Sequence, residues 1–126
     1  MKKKHLVLIG VACLVLLVIQ FTVPQKAVES DYRIFRVEVY GRNVFDELDD
    51  SALEQLTTAV KETKCTRWKN PMGPFSVRKD TVVVSGMDSQ GPKHFYLVGS
   101  EDRYAVNDYI LRDGEQLLQA VMELLA

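Results

Sequence analysis

Cysteine, histidine and tryptophan are scarce in this 126-residue chain, at two, two and one. Cys13 lies inside an apolar run and Cys65 far downstream, so no disulfide framework staples the chain and its core must hold by burial. Cys65 reads as a small buried hydrophobe near a helix end, with an intermolecular bridge or a free reactive thiol as the sharper alternative. Neither Cys65 nor His94 belongs to a ligand pair such as C-x-x-C or H-x-x-x-H, which argues against a zinc site. His94 is the only histidine beyond the N-terminal segment, and no motif places it as a base for Ser85. Val83-Val84-Ser85-Gly86 also lacks the glycine two places before the serine that a nucleophile elbow requires. No Gly-rich strand-to-helix turn is present to cradle a phosphate. The expectation is a protein with no catalytic residues, no cofactor and no metal.

An excess of positive charge is missing too. The chain has 16 Lys and Arg against 17 Asp and Glu, and three of those cations are Lys2, Lys3 and Lys4. The remainder carries 13 cations against the 17 acids, a net of −4. Nucleic acid is therefore not an expected partner, because phosphate binding needs clustered Lys and Arg.

What the sequence does have is a strongly patterned start. Lys2-Lys3-Lys4-His5 runs into the apolar stretch Leu6 to Ile19, and no formal charge appears before Lys26. From Leu6 to Val23 a helix would reach roughly 27 Å, against about 30 Å for a bilayer core. Cations resist translocation, and a small-x-small cleavage pair is missing after the apolar run. The expectation is an uncleaved signal-anchor over residues 1–23, with its N-terminus cytoplasmic and everything downstream outside the cell membrane. A cleaved secretion signal is the alternative, and a lipidated Cys13 a weaker one. Residues 24–31 are polar and read as a juxtamembrane linker.

Residues 32–126 suffice for one small core. Tyr32 to Tyr40 alternates with period two, placing Phe35, Val37 and Val39 on one side of a strand. Gly41-Arg42-Asn43 reads as a tight turn, with Val44-Phe45 pairing back as a short arm. Ser51 and Glu54 have capping-box spacing ahead of a helix whose apolar stripe is Leu53, Leu56 and Val60. The acids Asp46, Glu47, Asp49 and Asp50 suit the positive end of that helix, an ordinary explanation that outweighs a calcium site. Thr81 to Ser85 reads as a central strand, with Phe75 to Arg78 a possible backward extension. Gly86 to Pro92 reads as a loop, and His94 to Val98, Arg103 to Val106 and Tyr109 to Leu111 as further strands. Asp113 caps a final helix with Leu117, Leu118, Val121, Met122 and Leu125 on its apolar side. Tyrosines 32, 40, 96, 104 and 109 fall on strands, as residues that cover a sheet face.

The segment Cys65 to Phe75 is the most unusual. Its two prolines and a glycine argue for a loop, yet Trp68, Met72 and Phe75 are large apolar groups that a solvated loop would not carry. One reading folds them under an edge of the core. The other makes Arg67, Trp68, Met72 and Phe75 a partner-binding loop, since Trp beside Arg is hot-spot composition.

Lys2-Lys3-Lys4, Val39-Tyr40 before the turn to Asp49-Asp50-Ser51, and Tyr109-Ile110-Leu111 before Asp113 together set a layout. It resembles the small single-span extracytoplasmic α+β proteins of unknown function from Gram-positive bacteria. The resemblance implies an envelope protein and assigns no functional residue. The whole reading is an α+β domain: an antiparallel sheet of four or five strands with two helices packed on one face, preceded by one transmembrane helix. As function it gives a noncatalytic interaction module held to the membrane by its N-terminal helix, with an envelope protein as partner. A secreted inhibitor or ligand carrier released by signal cleavage is the alternative, and a small envelope enzyme a further one.

Overall fold

The structure, a computed structural model, describes residues 2–69 and 80–125, and of residues 2 and 20–22 the backbone alone. Three helices are present among them: α1 (Lys2–Thr22), α2 (Asp50–Glu62) and α3 (Gly114–Leu125). The strands are β1 (Gln25–Lys26), β2 (Arg33–Val39), β3 (Arg42–Asn43), β4 (Lys64–Lys69), β5 (Val82–Asp88), β6 (Gly91–Val98), β7 (Arg103–Val106) and β8 (Tyr109–Arg112). They form a single eight-stranded sheet in the order β1-β4-β8-β7-β6-β5-β2-β3, with every neighbouring pair antiparallel.

This corrects the expected sheet of four or five strands. β1 and β3 are each two residues long, too short to show a period. β4 takes up Cys65 to Lys69, expected as loop, because the prolines begin only at Pro71 and the β-formers Thr66 and Trp68 precede them. Gly86 to Asp88 and Gly91 to Pro92 are also strand, leaving Ser89-Gln90 as a two-residue turn. Phe75 to Arg78 lies outside the described residues.

The membrane anchor is corrected as well. Among the described residues no helix is long and apolar enough to cross a membrane. The strictly apolar stretch of α1, Leu6–Ile19, is 14 residues, about 21 Å of helix and well short of a bilayer core of about 30 Å. A transmembrane or signal-anchor assignment, single-pass localisation and membrane partnership through this helix are therefore not supported. No residue of α1 belongs to the core cluster, and Leu6, Leu8 and Leu16 are each more than 60% exposed.

The chain order forces the sheet to curl. β1 and β2 are six strand spacings apart, about 29 Å in a flat sheet. Only seven Cα steps join Lys26 to Arg33, which extended span about 25 Å. Residues 27–32 are thus a strap drawn as a chord across a curved sheet. Ala27, Val28 and Tyr32 of the strap are buried in the core cluster, so the segment expected as a linker belongs to the domain. The strap is tied to the β5–β6 turn, where the Glu29 N–H donates to Asp88 Oδ2 (3.0 Å) and the Ser89 N–H to Asp31 Oδ1 (3.2 Å).

Side chains alternate along each strand, so Val37, Val84, Phe95, Leu97, Val106 and Leu111 share the core face. Leu56 and Val60 of α2 and Leu117 and Val121 of α3 complete it. Asp49, not Ser51, caps α2, its carboxylate accepting from the Ala52 N–H at 2.7 Å. A charge at the positive helix end outcompetes a neutral hydroxyl. Tyr40 and Gly41, both with positive φ, make the β2–β3 turn one residue earlier than expected. Phe35 is the extra residue of a bulge in β2 and is 50% exposed, so it leaves the face of Val37 and Val39.

Tyr32 packs edge-on to Phe95, with ring centroids 6.0 Å apart, and donates to the Lys93 carbonyl. Its ring lies over Gly86, where any Cβ would overlap it. Burial, then the charge of Asp88, raises its pKa, and burial raises that of Cys65. Both groups hold their protons more tightly folded than unfolded. Their contribution to stability is whole below the unfolded values, about 8.5 for a thiol and about 10 for a phenol, and is lost as pH rises beyond them. The urea midpoint is expected to fall above about pH 8.5, less steeply in Cys65→Ala and, above about pH 10, in Tyr32→Phe. Slopes identical to that of the parent chain would contradict this account.

Candidate functional site

Two places bring together side chains that the sequence alone left apart. The first is the far end of β4. Between Cys65 and Lys69 the pairing with β8 is irregular: Cys65 faces Leu111 and Lys69 faces Tyr109, so four steps on one strand match two on the other. The buried Thr66 fills the gap, its hydroxyl accepting from the Ile110 N–H (3.2 Å) and donating to the Trp68 carbonyl (2.9 Å). Such irregularities re-aim side chains. Here Trp68 emerges 43% exposed, which corrects its expected burial under the edge of the core.

Arg67 is exposed beside it and reaches back to the end of α1. Its Nε–H donates to the Val23 carbonyl at 2.8 Å, satisfying an acceptor where the helix leaves its last carbonyls unpaired. One strand thus fixes both Arg67 and Trp68. The other two residues proposed for this loop, Met72 and Phe75, lie outside the described residues.

The second place is on the sheet face opposite the core. Ser85 of β5 and His94 of β6 are direct cross-strand partners, and Ser85 Oγ lies 2.8 Å from His94 Nδ1. Sequence reasoning treated the two separately. The signal was present: both are equidistant from the Ser89-Gln90 turn, so reading that turn as tight would have paired them. Asn107, in the left-handed region at the β7–β8 turn, accepts from the His94 N–H and donates to the His94 carbonyl, each at 2.9 Å. Arg36 is the next residue in the row, across from Ser85 on β2, and is ion-paired with Glu38. Ser85 is only 4% exposed. The arrangement pins a histidine ring to a sheet face.

Among the described residues no group of three or more His, Cys, Asp or Glu side chains is disposed to hold a metal ion. Compared with known protein families, with curated proteins and with solved structures, the chain matches none.

Thr66 is the keystone of the first place. Thr66→Val keeps the shape but leaves the Ile110 N–H and the Trp68 carbonyl without this partner. It is expected to cost about 1–3 kcal/mol, read by urea unfolding, and to shift the native emission of Trp68. Loss of stability with unchanged emission would contradict the claim that Thr66 sets the indole's position.

Proposed function

We propose that the chain is a noncatalytic interaction module whose partner is a protein, engaged through Arg67 and Trp68 at the far end of β4. The observation that carries this reading is the 43% exposure of the only tryptophan in the chain, beside an exposed arginine on a strand. A half-exposed indole has already lost much of its conformational freedom, and covering it releases apolar area at little further entropic cost. Phe35 and Met87, 50% and 52% exposed, add apolar area elsewhere on the surface. The mildly acidic domain around a basic and aromatic site favours a partner that is neutral or acidic where it meets Arg67.

A second reading, a small domain released by cleavage of its N-terminal segment, is favoured by one specific observation. The core cluster takes nothing from α1, so removal of residues before Gln25 would leave every core side chain in place. Recovery from the culture medium of a chain beginning just before Gln25 would support it. A chain in the medium that still begins at Met1 would count against it.

A photo-crosslinking residue at position 68 of the full chain, in cells, is expected to give a discrete adduct that the same residue at exposed position 54 does not. Identical patterns at the two positions, or no adduct at 68, would overturn the assignment. Against the partner so identified, Trp68→Ala is expected to weaken binding by about 2 kcal/mol, roughly thirtyfold, at a stability cost of about 1 kcal/mol or less. A fluorophosphonate probe is expected to leave the protein unlabelled. Labelling that disappears in Ser85→Ala would show the hydroxyl to be nucleophilic and defeat the noncatalytic reading.

A further inference from the structure

Lys26, Lys64 and Arg112 stand in one row across three neighbouring strands. Lys26 of β1 is the direct cross-strand partner of Lys64 of β4, and Lys64 is in turn the partner of Arg112 of β8. The adjacent row is Gln25, Cys65 and Leu111, and Cys65 and Leu111 belong to the core, so alternation puts the three cations on the face away from it. All three are exposed. Two strand spacings, about 10 Å, separate Lys26 from Arg112. Among the described residues none of the three is ion-paired. Glu62 and Asp113 line a cavity together with Lys64, yet among the described residues neither comes within ion-pair distance of it. The next strand, β7, begins with Arg103, whose charge is already met by Glu101 at 3.6 Å.

Like charges set directly opposite each other weaken a sheet, and this row sets them so twice with no return in structure. A local rule broken without compensation is expected at a functional site. We propose, on the reading that Trp68 is a partner contact, that Lys26, Lys64 and Arg112 extend that surface and take a short carboxylate-rich segment of the partner protein, laid across β1, β4 and β8. Lys69 faces Tyr109, which has the parity of Leu111, so the neighbouring Trp68 opens on the same outer face as Lys64, four residues and about 13 Å along β4. An extended segment with an acid at every second position presents a carboxylate about every 7 Å on one side, within reach of three long, flexible cationic side chains. Covering the row in this way turns mutual repulsion into attraction. A long polyanion such as a nucleic acid fits less well. Beyond Lys2, Lys3 and Lys4 the chain has 13 cations against 17 acids, so a strand of phosphates leaving the row would meet a surface of its own sign.

The full chain is titrated into a dye-labelled peptide of about ten residues alternating Glu and Ser, with alternating Gln and Ser as the control, and binding is followed by fluorescence anisotropy. Saturable binding of the Glu peptide alone is expected, about tenfold weaker when NaCl rises from about 0.05 M to about 0.3 M. Lys64→Glu and, separately, Arg112→Glu are expected to weaken it about tenfold or more, while Arg33→Glu, toward the other side of the sheet on β2, leaves it unchanged. Lys64→Glu also converts two repulsive cross-strand pairs into attractive ones. Its Tm is therefore expected to rise by about 2 °C at low salt, which separates lost binding from lost folding. No binding of the Glu peptide, equal binding of the Gln peptide, a lower Tm in Lys64→Glu, or tighter binding of a single-stranded DNA of the same charge would overturn the proposal. Loss of the peptide in Lys64→Glu with no effect of Trp68→Ala would uphold the row and tell against the Trp68 reading. A crosslink from position 68 that persists in Lys64→Glu, with the Glu peptide unbound by the parent chain, would do the reverse.

Discussion

The strap over residues 27–32 is the constraint on which the rest of the fold depends. Because it must join β1 at one side of the sheet to β2 near the other in so few residues, the sheet has to curve, and its concave side becomes the core. Tyr32 then occupies the place where strap, β5 and β6 meet, and Gly86 is needed there because only a residue without Cβ lets the ring lie against the strand. Ala27 and Val28 complete the same seal. A chain that unpaired the strap would open the concave side to water and lose the reason for the curvature.

Curvature also determines where the surface features fall. Pairing in β2 and in β4 is broken near opposite sides of the sheet, at Phe35 and between Cys65 and Lys69. At each irregularity a large aromatic residue turns outward, Phe35 in one case and Trp68 in the other. The exposure of these aromatic side chains thus goes with the irregularities in strand pairing. The Ser85–His94 pair sits on the middle strands, where pairing is regular and the side chains are held in register.

Parts of this were legible in the chain. The helices α2 and α3 announced themselves through Leu56, Val60, Leu117 and Val121 at helical spacing, and the runs around Val37, Val84, Leu97 and Val106 read as strands. The errors have physical causes. Ser51 and Asp49 both satisfy the rules for a cap, and the helix begins at Asp50, which leaves the Asp49 carboxylate to take the Ala52 N–H. β1 and β3 have no pattern of their own and exist because a neighbouring strand supplies hydrogen-bonding partners. Of the loop singled out for recognition, Arg67 and Trp68 prove to be strand residues, and the exposure of the indole depends on a hydroxyl bridge from Thr66 that no local spacing encodes.

By itself the sequence determined that this chain has no disulfide framework, carries an uncharged apolar N-terminal stretch, and packs two amphipathic helices with several β-branched strands. Those properties follow from composition and periodicity, which act over a few neighbouring residues. Only the tertiary structure decided that the sheet has eight strands, that residues 27–32 form a strap over the core, and that Ser85 meets His94. Each of these depends on a distance across the fold between residues far apart in the chain, set by strand order and register.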